Sequence, residues 1–530
     1  MASNLTVIDN IIPALLVHAV PSPPVLVMGY NKPDDGGGGL FRWVPGDTTP
    51  PDGGMVFASR AHGANGRWRR VVDVGYVSVK WFGAKGDKTM GDGPAITRAI
   101  AYATGNEDPA THPRAARVAV YLPAGIYGVN AANGAAGLLI RSVQGFRLFG
   151  DGPDISVLWV ADGSSLDSLL EIDGSANGIF ENFSLQCRAA TDPAAGYADK
   201  MLYLHWSTHA QRSTSNNLFK NVNVGGNYGG RFRTAFAVGT DDGNRQCDAT
   251  VFQDCLAVGY WPLAWGPRLP YDVGQRVFND GGKIYLCTTA GTSAGPVSGP
   301  TGTGPSIADG TCIWKFLVGD TGLWQYGWEI GNGTHGNNVD HLLYASSWAQ
   351  VRNGIFMNAA NASIYGSQPG GSEVDVRISG SAAPIVIDGL RSEASKHLLI
   401  QGGGAADGHV TLRNIVWYAQ QLSSDPSKDP LAGEWIHHAG GGTLLLQDVL
   451  CLNSPAGVNP VINLATASQE NKFSCIAHGV STRSPVDVAF KLGAGAYLTI
   501  QNYHQHDTNT IPIALTPFKV LGPSIDFHVP

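Results

Sequence analysis

Three short stretches of this chain place acids at spacings that suit chemistry on a polymer. The first is Ser372-Glu373-Val374-Asp375-Val376-Arg377-Ile378-Ser379, where charged and apolar residues alternate. Read as a strand, it turns Val374, Val376 and Ile378 inward and leaves Glu373, Asp375 and Arg377 in one outward row. Side chains two apart on a strand stand roughly 6.5–7 Å apart on one face, and neighbouring strands are about 4.8 Å apart. Those distances fall near the about 6.5–9.5 Å of an inverting carboxylate pair and the about 5–5.5 Å of a retaining pair. The second stretch, Leu390-Arg391-Ser392-Glu393-Ala394-Ser395-Lys396-His397, follows the next corner, so that Glu393 faces the same groove with His397 close by. The third, Thr240-Asp241-Asp242-Gly243, sets two acids side by side, where repulsion raises one pKa as a general acid requires. The shared chemistry is glycosidic cleavage by an acid and a base or nucleophile. Elimination at an acidic sugar is the variant, with Arg377 neutralising a carboxylate and Lys396 or His397 beside it taking a proton. Each stretch also has a plainer reading: a solvated strand face, a local Arg391–Glu393 ion pair, and a turn.

Other chemistries lack their residues. The adjacent His437-His438 is not a helical metal pair, no H-E-x-x-H or clustered Cys/His occurs, and no metal or other cofactor is expected. Gly402–Gly404 and Gly440–Gly442 lack the strand, helix and lysine of a phosphate loop, and no G-x-S-x-G elbow is found. A formal net charge of −7 without a long basic run argues against nucleic acid. The apolar stretch Ile11 to Val20, interrupted by Pro13 and His18, is too short for a membrane span, and the N-terminus has no basic region of the kind that opens a signal peptide. The cysteine count, 7, is odd and sparse for 530 residues, so Cys187, Cys247, Cys255, Cys451 and Cys475 are expected as small buried hydrophobes.

The elements that must position the acids are strands and turns. Only 15% of residues are charged, and 69 are glycine, a turn-rich composition. Between Val77 and Val129 a strand through Trp81, a turn at Gly83 to Asp87, a helix capped by Asp92 or Gly93 with Pro94 in its first turn, and a buried strand Val118–Leu122 follow in order. From there an apolar residue, any residue, then Asn or Asp before alternating apolar positions recurs at Asn182, Asn221, Asp254, Asp340, Asp388, Asn414 and Asp448, at intervals of 39, 33, 86, 48, 26 and 34 residues. These intervals suit a rung of roughly 22–26 residues with turn insertions, the Asn and Asp standing at corners as structural residues. The 86-residue step holds one rung plus an insert of roughly 60. Within it three short strands around Tyr271, Tyr285 and Trp314 make a small module, whose Cys287 and Cys312 sit on neighbouring strands and can pair after release.

The F-G-A-K-G-D run, the short capped helix and V-A-V-Y-L-P-A-G-I-Y resemble the opening of pectate-lyase-like right-handed β-helix proteins, a group that includes polysaccharide lyases, glycosidases and phage tailspike depolymerases. The family's usual D-G-x-x-D-D-T-x-A-I is reduced here to a glycine–aspartate frame. The resemblance implies an all-β, right-handed, single-stranded parallel β-helix with a capping helix and a small β insert. Its divisions are a head over 1–75, first rungs over 76–259, the insert over 260–320 and further rungs over 321–530. The insert resembles compact chitin-binding modules, so Tyr271, Trp265 or Trp314 is expected to stack on sugar, the alternative being a mini-domain core. R-S-E-x-S at Arg391–Ser395 resembles a turn of tailspike β-helices. By the same resemblance the chain is expected to be a homotrimeric virion protein made in the host cytoplasm. It binds and depolymerises a bacterial surface polysaccharide and meets the phage tail, baseplate or an adaptor through its head, where Arg67, Arg69 and Arg70 form either a docking patch or a solvated strand face. A non-catalytic receptor-binding or structural tail protein, and a polysaccharide lyase, are the alternatives.

Overall fold

The computed structural model describes residues 6–19, 24–105, 114–188, 196–226, 230–240, 245–280, 283–295, 299–318, 322–331, 338–379, 384–402, 409–419, 434–439, 442–452, 462–464, 473–478, 481–482, 490–492, 496–501, 504–505 and 513–515. The chain is a right-handed parallel β-helix with a capping helix and a small β insert. It divides into two units, residues 1–230 and 231–530.

The first unit opens with a five-stranded sheet. Thr6–Ile11 runs parallel to Val25–Gly29, and Gly39–Pro45, Gly66–Arg70 and Val56–Ala58 follow antiparallel. Its core is Ile12, Leu15, Val25, Val27, Phe41, Phe57 and Trp68. The arginines of Gly66–Arg70 depart from both readings of a basic strand. Arg67 and Arg69 share one face, but Arg70 is buried, donating to the carbonyls of Gly37, Gly38 and Gly54 with its guanidinium over Phe41 and Trp81. Arg69 pairs with Asp47 at 2.5 Å, and Arg67 donates to the carbonyls of Thr49, Ala64 and Gly66.

The strand expected through Trp81 stops sooner. Tyr76–Ser78 gives way to a 3₁₀ turn, Val79–Phe82, because the Ser78 hydroxyl caps it and Gly83 closes it at φ 98°. The helix Gly93–Thr104 buries Ala95, Ile96, Ala99, Ile100 and Ala103 along one stripe. Asp92 precedes it but does not cap it. Its carboxylate accepts from the backbone N–H groups of Lys85, Gly86 and Gly128, clamping the glycine-rich turn to the first rung, and burial raises its pKa.

Rungs then stack in parallel register. In the first unit Val120 pairs with Leu148, Leu148 with Phe180 and Phe180 with Phe219, steps of 28, 32 and 39 residues, and the last two rings stack at 4.7 Å. A second stack holds Ala136–Arg141, Ser165–Asp173 and Tyr197–His205. In the second unit Ile364, Ile387 and Leu412 continue one column at steps of 23 and 25 residues, and Tyr326–Ile330, Asn353–Asn358, Val374–Ser379 and His397–Gly402 build another stack. The corner residues Asn182, Asn221, Asp254, Asp340, Asn414 and Asp448 all have φ between 53° and 61°, a conformation Asn and Asp tolerate best after glycine. The Asn221 amide donates to Asn182 at 3.0 Å and that of Asn414 to Asp388 at 2.8 Å, so the corners are laddered from rung to rung.

The insert has more strands than its turns suggest. Leu263–Ala264, Arg276–Asn279, Lys283–Thr289, Cys312–Val318 and Ile307–Asp309 form one sheet in that order, beside a small pair, Pro270–Tyr271 with Gly291–Thr292. Trp265 and Trp314 are not sugar platforms. Both are buried with Tyr285, Val277, Cys287 and Cys312, and both indoles donate to one oxygen of buried Asp309, at 2.7 and 3.1 Å. A module this small must spend its aromatic residues on its own core. Cys187, Cys247, Cys255, Cys287 and Cys312 are buried and unbridged; the side chains of Cys451 and Cys475 lie outside the described residues.

Candidate functional site

The strand Val374–Ser379 buries Val374, Val376 and Ile378 as alternation predicts, but Asp375 does not join an outward row. It is wholly buried. In register beside it lies Gly354, and the Trp348 ring fills the space that a side chain there would take. The Trp348 indole donates to Asp375 at 3.3 Å, and the hydroxyls of Ser392 and Ser395 donate at 2.5 and 2.7 Å. Burial pushes the Asp375 carboxyl up to about 7 in spite of these donors. This acid ties one rung to its two neighbours.

Glu373 stays nearer the surface, accepting from Arg352 at 3.0 Å. Arg377 donates to Asn353 at 2.7 Å, and burial lowers its pKa. Around them Arg233 pairs with Glu329 at 2.9 Å, Tyr326 stacks on Phe356 at 5.2 Å, and Arg352 lies 5.4 Å from the Trp261 ring. Burial raises the pKa of Tyr326, which also feels the charges of Glu329, Arg233, Arg352 and Arg377. These residues form a mixed patch of arginines, glutamates and aromatic rings. The second expected set disperses. Glu393 is exposed, 3.8 Å from Arg391; Lys396 is half-buried; and His397 is buried with Nδ1 against the Glu434 carbonyl at 2.5 Å. Asp241 and Asp242 lie outside the described residues.

A denser set of acids stands in the first unit, where sequence reading did not look. Ser165–Asp173 runs between Ala136–Arg141 and Tyr197–His205, so that Arg141, Asp173 and His205 form one column, and Leu139, Glu171 and Tyr203 the next. Oxygens of Glu171 and Asp173 and a nitrogen of His205 all lie within 4.8 Å of one another. Asp173 is buried, with one oxygen on Arg141 and the other, Oδ1, without a hydrogen-bond partner. Glu171 accepts from Ser168 at 2.9 Å and faces His205 Nε2 at 3.0 Å. Burial works to raise the Glu171 pKa, but His205, Ser168 and Arg141 outweigh it and hold the carboxyl low. His205 Nδ1 meets the Trp206 carbonyl at 2.9 Å, and the ring stacks on Tyr203 at 4.5 Å. With an acceptor at each nitrogen, the imidazole satisfies both only as its doubly protonated form. Beside it Lys200 lies 4.7 Å from the Tyr203 ring, 3.2 Å from Asp199 and 3.4 Å from Asp167. Two carboxylates, an imidazole and two cations are thus gathered on adjacent rungs. Two carboxylates and an imidazole are also a donor set that suits a divalent cation. The signal that finds this site is periodic: Arg141, Asp173 and His205 are spaced by 32 and 32 residues, one rung each.

The comparisons agree with this architecture. Residues 14–73 match the model of the phage tail protein small four-stranded β-sheet domain, and residues 76–258 match that of the rhamnogalacturonase A/epimerase, pectate lyase-like family. Among solved structures, the gp42 tailspike of Acinetobacter phage vb_AbaP_AS12 aligns over 98% of this chain and 79% of its own, with a TM-score of 0.53 and 11% identity. Full-length tailspike protein 2 of an Escherichia coli O157:H7 bacteriophage aligns over 92% of this chain with a TM-score of 0.46 and 12% identity, and this chain spans 54% of its length. At such identities the likeness speaks to fold. A search of curated proteins by sequence finds no match. No helix among the described residues is long and apolar enough to cross a membrane.

Proposed function

We propose that this chain, in which a phage tail β domain leads into a pectate-lyase-like β-helix, is a tailspike that binds a bacterial surface polysaccharide and cleaves it by hydrolysis. The observation that carries the reading is the Glu171, Asp173 and His205 group. Its oxygens approach within 4.8 Å, nearer the retaining than the inverting separation. Glu171, held ionised by its neighbours, takes the nucleophile or base role. Asp173 and the imidazole of His205 are the groups able to carry the proton to the leaving oxygen. Arg141 positions Asp173 through its ion pair. The patch around Glu373, Arg377, Arg352 and Tyr326 contributes saccharide binding, since guanidinium groups and aromatic faces suit hydroxyl-rich and acidic sugars. The tail context follows from the match of residues 14–73, and assembly as a trimer is part of the same reading.

The test is incubation with surface polysaccharides from a panel of bacterial hosts, following reducing ends together with the ultraviolet absorbance of unsaturated products. New reducing ends without absorbance are expected. Both signals together would assign elimination, with His205 or Lys200 as the base. Neither signal on a glycan that the protein binds would leave a receptor-binding protein and remove the roles given to Glu171 and Asp173.

A further inference from the structure

The corner that carries the insert holds a cleft of its own, about 440 Å³, lined by Tyr260, Pro262, Pro270, Tyr271, Gln275, Arg276 and Gln350 among others. That volume lies within the usual range of ligand pockets, about 300–1,000 Å³. Tyr271 is anchored by its hydroxyl to the backbone of Gly266, at 2.8 Å from N and 3.3 Å from O, so its ring is held rigidly at the wall. Arg276 lies 3.7 Å from the centre of the Tyr260 ring, and burial lowers its pKa. Among the described residues this half-buried guanidinium has no hydrogen-bond or ion-pair partner, although it carries five donors. Gln275 spends only its carbonyl, accepting from the Asp272 N–H at 2.8 Å, and the Gln350 side chain, at a corner with φ 51°, is exposed.

A desolvated cation without a counter-ion, fixed on an aromatic ring, beside an immobile tyrosine and two amides with unspent donors, is a pocket built for a ligand that brings the acceptors. We propose that this cleft is a saccharide subsite for a uronate-bearing segment: Arg276 takes the carboxylate, Gln275 and Gln350 take hydroxyls, and Tyr271 with the two prolines supports a sugar face. The proposal deepens the polysaccharide-binding reading and rests on it, naming an acidic glycan as its class. It also gives the insert a role that its buried Trp265 and Trp314 cannot supply.

Calorimetric titration of the full chain carrying Glu171→Gln, which separates binding from turnover, tests it with tetragalacturonate and a hyaluronan tetrasaccharide against neutral chitotetraose. Saturable binding of an acidic tetramer is expected, at least about tenfold tighter than that of chitotetraose. Arg276→Gln and Tyr260→Ala should each weaken it about tenfold, with thermal unfolding unchanged. Equal affinity for all three sugars, no binding of either acidic one, or acidic binding untouched by both substitutions overturns the subsite. Because the readout is binding by a turnover-deficient chain, its failure leaves hydrolysis to be judged separately from reducing ends.

Discussion

Two strands of this protein carry the same E-x-D triplet and use it in opposite ways. In Ser165–Asp173, Glu171-Ile172-Asp173 keeps both acids in one group with His205, Arg141 and Ser168. In Val374–Ser379 and the residue before it, Glu373-Val374-Asp375 parts them. Glu373 pairs with Arg352, while Asp375 sinks beneath Trp348 and two serines. What differs is the neighbouring rung. Beside Asp173 the register places Arg141 and His205, which give the acids charged partners. Beside Asp375 it places Gly354, whose missing side chain admits an indole and closes the site from solvent. An acid's role on a β-helix is therefore set one rung away from it.

The largest effect that breaks or sharpens this contrast is on turnover. Glu171→Gln and Asp173→Asn should each lower depolymerisation about 10²–10³-fold with the melting temperature little changed, whereas Glu373→Gln should leave turnover within about threefold and weaken polysaccharide binding instead. Equal losses from Glu171→Gln and Glu373→Gln would erase the distinction. Next is stability. Asp375→Ala leaves the Trp348 N–H and two buried hydroxyls without their acceptor and should destabilise the second unit by about 2–4 kcal/mol in chemical unfolding.

The pH dependence follows from the same carboxyl. Its folded pKa of about 7 lies above the ordinary aspartate value, so the folded state binds the proton more tightly than the unfolded one. Its contribution is fully present below about pH 4 and is lost as pH rises toward 7, by up to about 1.4 kcal/mol per unit. Buried His341 and His438, lowered to about 4 and about 3, act in the opposite sense, losing stability as pH falls below about 6.5. The informative quantity is the difference between the native chain and Asp375→Asn. Asp375→Asn should gain relative stability between pH 4 and 7, and a flat difference would show that Asp375 is not buried as described. Smallest is the half-exposed Arg352–Glu373 pair: Arg352→Ala should cost under about 1 kcal/mol of stability, its main effect falling on glycan affinity.

Much of the fold was legible because it repeats. The rung length, the corner residues and the helix stripe at Ile96 and Ile100 each follow from local periodicity, and the left-handed φ of Asn182, Asn221 and Asn414 is what such a corner asks of its residue. The site was less legible. Alternation placed Val374, Val376 and Ile378 inside correctly, yet said nothing of what would close over Asp375. Aromatic residues in a small insert read equally as platform or core, and only the convergence of Trp265 and Trp314 on Asp309 settled which.

What the sequence determined by itself is thus the stack: parallel strands, their corners, the capping helix and the presence of an insert, all of which depend on contacts at a fixed short spacing. The tertiary structure alone decided which residues meet across rungs. Arg141, Asp173 and His205 are 32 residues apart at each step yet share one column, and Asp375 draws its partners from positions 348, 392 and 395. Variable turn lengths reset the register at every rung. Partners are therefore fixed by the path of the backbone, which no local pattern encodes.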